Sequence, residues 1–370
     1  MTEADSGDGT PRPRRRWLRV VFALGVLSLV ASCMACSPVY VVKAGIAEVG
    51  ILRARRPIPE VLSDPTTDAD TRGKLTYIVH ARRFASDELD IDVGDSYTMF
   101  TQLDRDTLAL VVSAAPKDQL GAVTWWFPIV GRVPYRGFFS EDDALDAAAD
   151  LAEDGYDTYV RPTSAFSTLG WFNDPVLSTM LRTDDVEVVQ TVLHELAHRY
   201  LFVPGQVGFN EAFANFVGRV AAIQFFCTRE GGGPDTVKCI RAQERWRDFQ
   251  RFSVFMDDFT ADLEGLYYDP NISFEDKVAR REPIFADAQA RFENEVMPTF
   301  ESITFSSFLT TPLNNATLLG RVRYYNRLPD FQALLDTHGG DLTSAMEELR
   351  REVEGADDPW ELLPRSSALP

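Results

Sequence analysis

Residues 184–202 read DDVEVVQTVLHELAHRYLF, and the fold around them follows from how this run repeats. Val189, Val192, Leu193, Leu196, Ala197, Tyr200 and Leu201 recur at i, i+3, i+4 spacing. That spacing makes one buried stripe on an amphipathic helix. Thr183 is placed to cap it, Asp184 and Asp185 sit in the first turn, where the helix dipole favours acids, and Pro204-Gly205 stops it. His194 and His198 are four apart, so their imidazoles leave the same face, with Glu195 between them. H-E-x-x-H on a helix supplies two zinc ligands and a carboxylate able to take a proton from metal-activated water.

A hydrolytic zinc site needs a third protein ligand and one open position. Downstream, VGFNEAFANFVG over 207–218 reads as a second helix start. Asn210 can cap it, and Phe213, Phe216, Val217, Val220 and Ala221 form its apolar stripe. Twelve residues separate His198 from Glu211, enough for a reversing loop that sets the two helices side by side. Glu211 is therefore the expected third ligand of one Zn2+. Asn215 lies one turn further on, where its carbonyl can accept the free N–H of a ligand histidine. Histidine chemistry has few other sources, since the chain holds only His80, His194, His198 and His338.

The rest of the chain frames this centre. Its 370 residues, 45% hydrophobic and 25% charged, describe a globular protein with material for a sizeable core. The net charge is −19; five Arg and three acids in the first 19 residues leave −21 on the remainder. A body that acidic lacks the clustered Lys and Arg that nucleic-acid binding requires. Thr98 to Leu103, Leu108 to Ala114, Gly121 to Val130 and Thr158 to Pro162 read as strands, and Val133 to Phe139 as loop. Val39 to Leu62, Leu75 to Phe84 and 140–153 read as helices, followed after Thr183 by long ones at 235–258, 274–297, 314–335 and 342–354. The expected fold class is α+β: a small mixed α/β half over 37–160, then a mainly helical catalytic half over 161–354 and a loose tail from 355 to 370.

Residues 1–36 read as a leader. Arg12, Arg14, Arg15, Arg16 and Arg19 precede an apolar run from Val20 to Ser32, too short to span a bilayer. Val30-Ala31-Ser32-Cys33 matches a bacterial lipobox with Cys33 as the lipidated residue, and Cys36 as the rival acceptor. Arg14 to Arg19 also matches a twin-arginine export signal. Either route places the body at the periplasmic face of the cell envelope, held to the membrane by a lipid or by an uncleaved signal anchor. In that oxidising compartment Cys227 and Cys239 are placed either to pair across the Gly-rich segment between them or to remain two thiols.

H-E-x-x-H followed by N-E-A on a second helix resembles the thermolysin-like metallopeptidases, the gluzincins. More closely, the chain resembles the bacterial predicted aminopeptidase family of exported zinc proteins. The matching stretches are Arg56 to Ile58, Val133 to Gly137, Ala165 to Phe172, Asp174 to Leu181, the two zinc helices, and Asn314 to Ala316 through Tyr324-Tyr325. Two departures from the thermolysin-like pattern stand out: the gap to Glu211 is short, and Asn215 stands where those enzymes usually carry Asp. The gluzincin resemblance implies a substrate-pairing edge just before the zinc helix, for which Ala165, Phe166, Ser167, Thr168, Leu169 and Gly170 are the candidates. It also implies a Tyr or His that holds the oxyanion, which brings in Tyr324, Tyr325 and His338, with Tyr324 or Tyr325 favoured. Tyr135-Arg136-Gly137 reads either as a binder of a substrate carboxylate or as a structural turn. The resulting expectation is a zinc metallopeptidase acting on peptides or proteins, with Glu195 as acid and base and an aminopeptidase specificity implied by the family. An endopeptidase and a non-catalytic, zinc-stabilised envelope factor are the alternatives.

Overall fold

A computed structural model describes residues 50–105, 107–127, 131–163 and 174–366. The leader with Cys33, the start of the helix expected from Val39, and the candidate edge Ala165 to Gly170 lie outside the described residues. The chain is mixed α/β, with small sheets in the first half and helices in the second.

The first half contains β1 (Arg56–Pro57), α1 (Ile58–Ser63), α2 (Ala69–Glu88), β2 (Met99–Thr101), β3 (Ala109–Ala115), β4 (Trp125–Phe127), β5 (Gly131–Val133), β6 (Arg136–Phe138), α3 (Glu141–Glu153), β7 (Asp157–Thr163) and β8 (Val176–Leu177). One sheet has the order β1-β2-β8, antiparallel then parallel. A second has the order β6-β3-β7, antiparallel throughout, and β4 pairs with β5. The stretch read as loop over Val133 to Phe139 thus contributes to two strands, because a β-bridge needs a partner that sequence spacing does not reveal. Helix α3 covers the second sheet, burying Ala144 and Ala148 against Val112 and Phe138.

The second half contains α4 (Asp185–Tyr200), α5 (Val207–Thr228), α6 (Val237–Tyr267), α7 (Phe274–Arg291), a short α8 (Ser307–Thr310), α9 (Asn315–Tyr325), α10 (Leu328–Thr337) and α11 (Leu342–Glu352). The expected single helix over 314–335 is broken in two. Arg327 turns left-handed at φ 51°, and Pro329 sits in the first turn of α10, where its missing N–H costs nothing. Asp184, not Thr183, caps α4: its carboxylate accepts from the backbone N–H groups of Val186 and Glu187 at 3.0 and 3.2 Å.

Helix α5 is the axis of the main core, with Phe209, Ala212 to Phe216, Val217, Val220 to Ala222, Phe225 and Phe226 all buried. It starts at Val207, so Asn210 is not its cap. The Asn210 side chain instead clamps the entering loop, accepting from the Val203 N–H and donating to the Val203 carbonyl. Against α4 the two backbones nearly touch. A Cβ at Gly218 would lie 2.8 Å from the Gln190 carbonyl and the His194 N. A second core, mostly phenylalanine, joins α6, α7 and α8 through Phe252, Phe255, Phe259, Phe285, Phe292 and Phe308. Cys227 and Cys239 form a disulfide that ties the end of α5 to the start of α6. A link over so short a loop contributes about 2–3 kcal/mol.

Helix α9 is fixed to β7 by buried polar contacts. Arg281 grips Asp157 with both guanidinium nitrogens, at 2.7 and 3.1 Å, and Asp157 accepts the N–H of Asn315 at 2.9 Å. Asn314 caps α9 and donates to the Thr158 carbonyl. Gly320 keeps the helix close to the Tyr159 ring. This register carries Arg161 of β7 and the end of α9 to the same place, beside α5.

Candidate metal centre

Helices α4 and α5 bring His194, His198 and Glu211 together. One ligand atom from each lies within 4.8 Å of the others. His194 Nε2 is 3.4 Å and His198 Nε2 3.9 Å from Glu211 Oε2. Ligands at 2.0–2.1 Å from one tetrahedral zinc stand about 3.3 Å apart, so the donor set suits such an ion with little adjustment. The two imidazoles, with ring centres 5.0 Å apart, are nearly perpendicular.

The electrostatics agree with a ligand set. Burial alone would raise the Glu211 carboxyl. The His194 hydrogen bond, the charges of both histidines and the Arg323 guanidinium outweigh that and hold it at about 2. Burial holds His198 down at about 4, with His194 adding and Glu211 opposing, so near neutral pH its imidazole is uncharged and able to ligate. His194 is also pushed down by burial, but the Glu211 hydrogen bond and the carboxylates of Glu195 and Glu211 win, and the net shift is upward.

Asn215 is on the face of α5 one turn from Glu211, but not in the expected role. Its amide donates to the Tyr324 carbonyl at 2.8 Å, and the buried Nδ1 of His198 has no hydrogen-bond partner. An amide turned toward α9 serves to dock that helix on the metal-site helix. The two tyrosines of α9 part company for the same helical reason: neighbours in sequence point about 100° apart. Tyr324 turns to the site. Its phenol is raised well above the ordinary value by burial and then by Glu211, so it stays protonated. Tyr325 turns into the aromatic core, with its ring 4.9 to 5.6 Å from those of Phe249, Phe252 and Phe305. The expectation for Tyr325 at the oxyanion is therefore withdrawn. His338 is placed elsewhere too, paired with Glu348 at 3.0 Å.

A family model described as "Putative aminopeptidase" matches residues 39–358. The chain belongs to that family. No curated protein and no solved structure matches it significantly. Family membership makes the chain a peptidase relative.

Sequence reasoning missed two residues near the triad, Tyr97 and Arg161, and read Tyr135 only as part of a carboxylate-binding or structural turn. Tyr97, left-handed at φ 59° and tied through its N–H to the Asp174 carbonyl at 2.8 Å, is buried. Burial, then the charges of Glu195 and Asp174, drive its phenol far up. Tyr135 likewise is raised by burial and by Glu211, against the pull of Arg323 and Arg161. Arg161 donates to the Tyr324 hydroxyl at 3.5 Å. For Arg161 the available signal was an arginine inside a strand pattern, where an apolar or uncharged residue is usual.

Proposed function

We propose that this member of the aminopeptidase family is a zinc-dependent peptidase of the gluzincin type, exported and lipid-anchored, that removes residues from peptide N-termini. The observation that carries the proposal is the convergence of His194, His198 and Glu211, two imidazoles and a carboxylate, with Glu195 on the same helix turn as the histidines. His194, His198 and Glu211 would hold the ion. When bound, zinc supplies a Lewis acid that polarises the scissile carbonyl and acidifies water.

The chain's own groups do the rest. Glu195 takes the proton of the attacking water and delivers it to the leaving amine. Tyr324, kept protonated by burial, donates to the developing oxyanion. Tyr97 and Tyr135, both buried or nearly so, feel the charge of Glu195. Export is supported by the leader and by the Cys227–Cys239 disulfide, a bond typical of oxidising compartments.

The test is zinc content and cleavage of a mixed peptide library, read by mass spectrometry, for residues 37–370 and for the Glu195→Gln variant. About one zinc with N-terminal trimming, and a variant that keeps zinc but is silent, is the expected result. Internal cuts would make it an endopeptidase. Zinc with no cleavage by either protein would replace the proposal with a non-catalytic envelope factor.

A further inference from the structure

We propose that Arg161 and Arg323 form a carboxylate-binding subsite beside the metal centre, so that the substrate presents a carboxylate to the Tyr135–Tyr324 wall of the pocket. The inference rests on the peptidase reading for its substrate class, but its geometry stands by itself. Arg161 comes from β7 and Arg323 from α9, and the docking of α9 on β7 and α5 brings them together.

Arg323 is only 6% exposed, and its guanidinium lies 5.2 Å from the centre of the Tyr135 ring. The Arg161 guanidinium lies 5.9 Å from the Tyr324 ring, with its Nη2 on the hydroxyl. Among the described residues neither forms an ion pair, and Arg161 Nε and Arg323 Nη1 are buried with no hydrogen-bond partner. A buried guanidinium with no ion-paired or hydrogen-bonded carboxylate is costly. The sheltered arginines elsewhere avoid that cost: Arg219 reaches Glu187, Arg245 reaches Asp184, Arg281 reaches Asp157 and Arg327 reaches Asp330. Arg321 also lacks a carboxylate, but its guanidinium lies over Phe308 and donates to the Ser307 carbonyl, on another face of α9.

Charge points the same way. Glu195 and Glu211 balance the two guanidiniums, so a divalent ion leaves the pocket at +2. Glu211 is committed to the ion, so the arginines are left for an incoming anion. Arginine N–H pairs match the two oxygens of a carboxylate, and Arg161 Nε and Arg323 Nη1 are N–H groups that no protein acceptor takes. In a short peptide the C-terminal carboxylate reaches such a pocket; in a longer one an acidic side chain does.

The test compares an alanine tripeptide with a free C-terminus, its C-terminal amide, and an amide bearing a glutamate side chain. For the wild type, kcat/KM for the carboxylate peptide is expected to exceed that of the plain amide at least ten-fold, mostly through KM. Arg161→Gln and Arg323→Gln each bring that ratio down about ten-fold or more, and Arg323→Lys falls between, since it keeps charge but loses the planar pair. If Arg323→Gln does not fold, Arg161→Gln, on a less buried strand position, carries the comparison. Calorimetry on zinc-loaded Glu195→Gln reads binding without turnover. Preference for the free C-terminus or for the glutamate amide supports the subsite and identifies which carboxylate it takes. Equal kcat/KM and equal or absent binding for all three overturns it. No turnover of any peptide by the wild type, with a carboxylate preference retained in calorimetry, would sink the peptidase reading and leave the subsite.

Discussion

Glu195 and Glu211 are carboxylates in one site with different work to do. Glu211 is pinned by two histidines and Arg323, low at about 2, so it is ionised throughout the range where metal binds. Glu211→Ala is expected to cut zinc occupancy at sub-micromolar free zinc, since one of three protein ligands is gone. Metal analysis after dialysis reads this directly, and full occupancy in the variant would strike Glu211 from the ligand set. In the proposed mechanism Glu195 transfers protons and does not ligate the ion. Glu195→Gln keeps shape and is expected to retain zinc while kcat drops by about 10²–10⁴-fold, the usual worth of a general base. Steady-state kinetics beside metal analysis checks it; a variant that loses metal, or that turns over normally, removes Glu195 from that role.

Helix α5 touches α4 through the backbone, and Gly218 makes that possible. Gly218→Ala would put a Cβ 2.8 Å from backbone atoms of Gln190 and His194, and backbone cannot swing aside as a side chain can. The alanine gains about 1 kcal/mol in helix propensity but overpacks by about 1–3 kcal/mol, so melting temperature and zinc affinity should both fall. An unchanged melt with unchanged zinc affinity would show that the two helices need no such closeness. At the α9–α10 break, the Asp257 carboxylate of α6 accepts the Arg327 N–H at 3.2 and 3.4 Å. Burial raises this carboxyl to about 7, with Asp330 and Asp258 adding and Arg327 opposing. The stability it allows is complete below about pH 4, where the acid is neutral folded and unfolded, and is lost as pH rises through about 7. Asp257→Asn, which keeps an acceptor, should therefore match wild type near pH 4 and exceed it by a few kcal/mol above pH 7, as denaturant melts would show. Equal stability of the two proteins at pH 8 would contradict it.

The elements legible in sequence were those whose own period declares them. The α4 stripe, the acids at its start and the His194–His198 spacing needed no partner to be read. Glu211 was readable from chain distance. The strands of 131–138 and the break at Arg327 were not, because both depend on contacts made by distant segments. Tyr324 and Tyr325 were indistinguishable as neighbours until the packing of α9 chose which ring faced Glu211. Arg161 and Tyr97 lie on short or irregular segments, with no repeat to single them out.

At the scale of the whole molecule the body and the leader have opposed affinities for a membrane. The first 19 residues carry +2 and the rest −21, so an anionic lipid surface repels the body and attracts only the leader. No helix among the described residues is long and apolar enough to cross a bilayer. The proposed membrane hold is through the N-terminus, by a lipid on Cys33 or by the apolar run before it. These two are separable. Cys33→Ser leaves the apolar run and the basic residues in place and removes only the modification. If the lipid is the anchor, wild type sediments with membranes and resists high salt and carbonate, while Cys33→Ser enters the soluble fraction. A soluble 37–370 fragment is expected in either case. Cys33→Ser that stays with membranes would move the anchor to Cys36 or to an uncleaved signal, and Cys36→Ser in the same background decides between them: release points to Cys36, retention to the signal. A 37–370 fragment that itself sediments with vesicles would show the acidic body to be a membrane binder, against its charge.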